Sequence, residues 1–103
     1  MSEDRVPCRT PAEGRDGATN IPRWKFDLLR EAILEVCAEE VRFSELQGRV
    51  GALLSDQDKA SLGSLGWHTT TVKLELEVRG EISRVNAPGP QRIIRTAGGG
   101  DNG

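Results

Sequence analysis

The residues of this chain best able to meet an anion gather towards its C-terminal end: Thr69, Thr70, Thr71, Lys73, Arg84, Arg92 and Arg95. Hydroxyls at the start of a helix, beside free backbone N–H groups and the positive end of the helix dipole, suit a phosphate. A lysine further along that helix, with arginines on a following hairpin, suits base edges, a neighbouring phosphate or a minor groove. The segment 79–97 carries +3, within a chain of formal charge −2. Double-stranded DNA is therefore one expected partner, with Thr69, Thr70, Lys73, Arg84, Arg92 and Arg95 as candidate contacts. Two features oppose it. Glu75 and Glu77 lie on the same segment, and the net charge offers little of the attraction that supplies most non-specific affinity. A role for the threonines in capping the helix and filling space stands beside the phosphate role.

Other chemistries lack their residue sets. The single histidine, His68, has no Ser/His/Asp or Cys/His partners, and its ordinary role is to cap a helix or sit at the surface, so no enzyme is expected. Gly98-Gly99-Gly100 has no helix behind it to cradle a phosphate, and no cofactor is expected. Cys8 and Cys37 stand 29 positions apart without CxxC spacing, which gives no metal site. Cys37 falls on an apolar helix face and reads as a small buried hydrophobe, and Cys8 falls in a tail. The chain has no ~20-residue apolar run of the kind that spans a membrane, and its opening Met-Ser-Glu-Asp-Arg is not expected to be a secretory leader. A reduced, cytoplasmic setting is the expectation.

These residues need elements to hold them. Residues 1–20 mix prolines, glycines and charges of both signs with few large apolar residues, and are expected to be a disordered tail. Asn20 and Pro22 suit the start of a helix in which Phe26, Leu29, Ile33 and Val36 recur at three and four, ending near Ala38. Trp24 lies at the side of that apolar band, either packed over the domain edge or free for a partner. Val41-Arg42-Phe43 reads as a short strand. Ser44 and Gln47 form a capping box for a second helix with Leu46, Val50, Leu53 and Leu54 inward, in which Gly48 and Gly51 allow close approach of a neighbour. Residues 55–66 form a polar connector, with room for one turn of helix capped by Ser55 or Asp56.

The stretch Trp67 to Arg79 satisfies two periods. Val72, Leu74, Leu76 and Val78 alternate as a strand would, while Leu65, Thr69, Val72, Leu76 and Arg79 follow helical spacing, with Leu74 and Val78 as a second stripe. Gly80 is placed as a left-handed C-cap, and residues 81–85 and 91–96 form a complete hairpin about the turn 86–90. A helix buried on two sides fits best, and a third long strand is the alternative.

The order helix, short strand, helix, helix, two-stranded wing resembles a winged helix. The run Trp67, Thr69-Thr70-Thr71-Val72-Lys73-Leu74, Leu76-Glu77, Arg79-Gly80, Ile82 and Arg84 is similar to a family of small bacterial winged-helix proteins of unknown function. That resemblance implies an α+β domain over residues 21–97 with three helices, a short strand and a C-terminal two-stranded β-hairpin wing, followed by a flexible tail at 98–103. It implies a binding module whose ligand is open: DNA through 67–79 and the wing 81–96, or protein, including a second copy of the chain, through the hairpin edge and rings such as Trp24.

Overall fold

The computed structural model describes residues 5–10, 14–85 and 88–96. Within them four helices and two small antiparallel sheets form an α+β unit, in the order β1 (Arg5–Thr10), β2 (Gly14–Pro22), α1 (Arg23–Val36), β3 (Val41–Arg42), α2 (Phe43–Leu53), α3 (Asp56–Leu62), α4 (Leu65–Arg79), β4 (Ile82–Arg84) and β5 (Arg92–Arg95). Five strands replace the three expected. The expected tail at 98–103 and part of the hairpin turn, Asn86 and Ala87, lie outside the described residues.

The largest difference from expectation falls within the tail expected at residues 1–20, of which 5–10 and 14–20 are described and 1–4 and 11–13 lie outside the described residues. Strands β1 and β2 pair in register, with Val6 opposite Ile21, Pro7 opposite Asn20 and Cys8 opposite Thr19. Val6, Cys8 and Ile21 are all buried, while Arg5 and Pro7 between them are exposed. This alternation is that of a strand with one face on a core. Two or three apolar residues are too few to mark a strand in sequence, and their partner surface, α4, lies some sixty positions away, with β1 packed along it. Paired strand structure therefore precedes residue 21, where the first helix was expected to open the domain. Asn20 is a strand residue, and Pro22 stands at the start of α1 with no side-chain cap.

Helix α1 turns Phe26, Leu29, Ala32 and Ile33 inward at three-and-four spacing, as its periodicity requires. Trp24, by contrast, is 45% exposed. The capping box expected at Ser44 is absent: α2 starts at Phe43, whose N–H donates to Gln91 O at 2.9 Å, so the partner sheet takes up a donor at that helix start. Leu46 and Val50 are buried, but Leu53, expected inside, is 46% exposed. Gly51 does serve close approach, since a Cβ there would lie 3.0 Å from Leu65 Cδ2, whereas one on Gly48 would meet open space.

The connector folds into α3, capped by Ser55 Oγ, which accepts from Asp58 N–H at 3.0 Å. Helix α4 begins two residues earlier than expected, at Leu65, with Ser64 Oγ accepting from Trp67 N–H at 3.1 Å. It ends as expected. Gly80 is left-handed at φ 80°, its N–H donates to Glu77 O at 3.1 Å, and Glu81 N–H donates to Leu76 O at 2.9 Å. These two bonds make the Schellman motif, which satisfies the last carbonyls of the helix and turns the chain into β4.

In the second sheet the final strand is central, in the order β3-β5-β4, with Val41 opposite Ile93 and Ile82 opposite Arg95. Arg95 N–H donates to Cys37 O at 2.8 Å and Thr96 Oγ1 donates to Gly80 O at 2.7 Å. The ends of α1 and α4 are thereby tied to one strand. Ile82, Ile93 and Val41 close the core against Cys37, Val72 and Leu76.

Candidate functional site

Because α4 is enclosed by α1 and α2 on one side and by β1 on another, most of its side chains are spent on packing. Thr69 is 2% exposed, and its Oγ1 is buried without a hydrogen-bond partner among the described residues. Thr70 is exposed. The two threonines, with Phe43, Ser44, Leu46 and Gln47, line a hollow of about 190 Å³ where the starts of α2 and α4 face each other. Gly66 makes this approach possible, since a Cβ there would fall 2.9 Å from Gln47 Oε1.

Lys73 lies inside at 2% exposure. Its ammonium pairs with Glu77 one turn on, and stands 4.6 Å from the centroid of the Phe43 ring. Arg84 reaches the same carboxylate, with Nε 3.2 Å from Glu77 Oε1. Glu75 is fully buried and accepts from Arg79 Nε at 2.8 Å, while the Arg79 guanidinium lies 4.7 Å from the Phe26 ring. Arg92 donates to Glu40 at 2.9 Å. Of the six candidate contacts, Thr69 and Lys73 are thus buried, Arg84 and Arg92 are paired with carboxylates, and Thr70 and Arg95 are exposed.

The strand register also separates the arginines. Arg84 stands opposite Ile93 and Arg95 opposite Ile82, so both share the sheet face of the buried isoleucines, whereas Arg92 stands opposite Arg42 on the other face. The three arginines of β4 and β5 do not converge on one phosphate-sized site. Glu75 and Glu77, which looked like a repulsive acidic pair on an open helix, are instead the buried or nearly buried partners of Arg79, Lys73 and Arg84.

His68 is half-buried, its Nδ1 2.7 Å from Ser64 O and its ring edge-on to Trp67 at 4.8 Å. That is the geometry of a residue fixing a helix start. Cys8 and Cys37 are both buried, and no disulfide joins them. Burial pushes the Cys37 thiol up to about 11, against a smaller opposing pull from the Lys73 ammonium. Among the described residues no cluster of three or more His, Cys, Asp or Glu could hold a metal ion, and no helix is long and apolar enough to cross a membrane.

A second surface, on the C-terminal halves of α1 and α2, lay outside the sequence expectations. Val36, Ala38, Ala52 and Leu53 floor a groove of about 330 Å³ between Glu35, Glu39 and Arg49. A smaller hollow of about 120 Å³ continues it past Leu28, Ala32 and Leu54 to Glu31. Glu31, Glu35 and Glu39 are exposed and make no ion pair among the described residues. One sequence signal was available. Glu35 falls in the last turn of α1, which carries no basic residue, so the negative end of the helix dipole meets an added negative charge.

No curated protein and no solved structure matches the chain significantly. One family does, over residues 5–93, a span that takes in β1 and β2 together with the helices and most of the second sheet. The chain belongs to this family, the family of unknown function DUF6958.

Proposed function

We propose that the chain is a winged-helix module that binds protein rather than nucleic acid. The winged-helix reading is supported by the order α1, β3, α2, α4, β4, β5 and by the first short strand pairing with the second strand of the wing. The observation that carries the choice of ligand is the charge state of α4 and the wing. Lys73, Arg79, Arg84 and Arg92 are each held by a carboxylate of the same unit. Counterion release from DNA requires cations that are free to neutralise phosphates. A surface whose cations are already matched gains little by it. Exposed Trp24, Leu53 and Trp67 supply instead the large apolar groups typical of protein contacts.

A nucleic-acid reading keeps one specific support: Thr70, Arg42 and Arg95 are exposed, and no ion pair engages either arginine among the described residues. Mixing the full chain with labelled random duplex DNA at ~50 mM salt, where basic contacts bind strongly, separates the two. The expected result is no mobility shift up to high micromolar protein. A shift that weakens steeply with added salt, and is lost on Arg42→Glu with Arg95→Glu, overturns the protein-binding reading in favour of DNA.

A further inference from the structure

The groove between the ends of α1 and α2 joins an apolar floor to an acidic rim that is unpaired among the described residues. Its floor is aliphatic, from Leu28, Val36, Ala52, Leu53 and Leu54, and Leu53 is 46% exposed although it follows the buried stripe of α2. Its rim is acidic, from Glu31, Glu35 and Glu39. Those carboxylates have no cationic partner among the described residues, while the one basic group on the rim, Arg49, lies 3.8 Å from Glu45. The placement of the acids works against the isolated chain. Glu31 and Glu35 are four apart on one helix, a repulsive spacing, and Glu35 and Glu39 crowd the end of α1 where the exposed carbonyls are already negative.

We propose that this groove docks a basic amphipathic helix of a partner protein, with aliphatic side chains on the Leu53 floor and lysines or arginines against Glu31, Glu35 and Glu39. This deepens the protein-binding reading and rests on it. The charge complementarity selects the occupant. A second copy of this chain would have to offer free cations beside apolar side chains along one face: Lys73, Arg79, Arg84 and Arg92 are already engaged, and the exposed Arg42 and Arg95 lie on opposite faces of the second sheet. An amphipathic helix presents anchors at i, i+3, i+4 and i+7, a spacing that suits an elongated groove running along two helix ends. Cations from the partner would relieve both the glutamate repulsion and the unfavourable dipole, so the rim is most stable when occupied.

Fluorescence anisotropy with the full chain tests this, using two labelled 18-residue helical probes: a Leu/Lys amphipathic peptide and a Leu/Glu peptide of the same pattern. The expected result is binding of the Lys probe, with the Glu probe at least tenfold weaker. The triple variant Glu31→Gln, Glu35→Gln, Glu39→Gln should lose at least tenfold for the Lys probe, and Leu53→Ser should lose a similar factor. Circular dichroism should show both variants folded, as these side chains are exposed. Equal binding of the two probes, or wild-type affinity in either variant, overturns the proposal. So does self-association in sedimentation that Leu53→Ser abolishes, because the groove would then hold a second copy. The DNA shift above reads the broader assignment independently: failed peptide binding without a DNA shift removes the groove proposal alone, whereas a salt-sensitive DNA shift removes the reading on which it rests.

Discussion

The face built by α4 with β4 and β5 and the α1–α2 groove carry charge in opposite ways. On the first, Lys73 and Arg84 share Glu77, Arg79 holds Glu75 and Arg92 holds Glu40, so charge is satisfied within the unit. On the second, Glu31, Glu35 and Glu39 face solvent around aliphatic carbons and make no ion pair among the described residues. Buried charge must be paired because desolvation is costly, whereas an exposed charge can be left open at little cost. The α4 charges therefore report on folding, and the groove charges are the ones still available to a ligand. Position in the sequence hides this difference, since both sets are glutamates on amphipathic helices.

Breaking the paired side should have the largest effect. Lys73→Met keeps the bulk of the stem but leaves Glu77, whose side chain is 8% exposed, with only the half-exposed Arg84 as a partner. A loss of about 3 kcal/mol in denaturant unfolding is expected, the usual cost of removing one member of a buried pair. A loss below about 0.5 kcal/mol would mean that the pair is not integral to the fold. Gly80→Val attacks the same face through the backbone. A β-branched residue at φ 80° opposes the left-handed turn that ends α4 and should lower stability by about 2 kcal/mol, read as a drop in Tm. Unchanged melting would show that the Schellman turn is not required to lead α4 into β4.

Cys37 lies between the two regions, at the end of α1, where its thiol is raised from 9.0 to about 11 by burial. The folded state then holds the thiol proton in a pH range where the unfolded chain releases it. Stability from this group is intact below about pH 9 and falls as pH rises from there towards 11. Chemical unfolding at pH 8 and pH 10.5 should show a loss of about 1–2 kcal/mol in wild type that is smaller in Cys37→Ala. The same slope in both proteins would show that Cys37 is not the group responsible. Smallest is the effect on the open side: Glu35→Gln removes a charge that faces both Glu31 and the α1 carbonyls, and should stabilise the chain by about 0.5 kcal/mol. A measurable loss instead would mean that Glu35 has a structural partner, and the contrast between the two faces would blur.

Much of the fold was legible because local chemistry agreed with it. Phe26, Leu29 and Ile33 mark α1 by period, Ser55 marks the start of α3, Gly80 marks the end of α4, and the alternation around Ile82 and Ile93 marks the hairpin. The ambiguous run from Thr69 to Arg79 resolved as a helix buried on two sides, the choice to which Gly80 and the hairpin behind it pointed. Little of the candidate site was legible. Lys73 looks like a cation available to phosphate, and nothing near it in sequence says that Phe43 lies over it. Leu53 fits the apolar stripe of α2, yet it is 46% exposed in the groove floor.

The sequence by itself determined helix α1, the short strand β3, the Gly80 turn that ends α4 and the paired strands behind it, because these depend on spacing within a few turns of chain. Only the tertiary structure decided that β1 and β2 pair and that β1 packs on α4, that the glutamates of α4 are satisfied while those of α1 are open, and that the arginines of β4 and β5 point to different faces. Each of these depends on which distant surface a side chain meets. A side chain's partner, burial and free charge follow from packing across tens of residues, and periodicity carries no record of it.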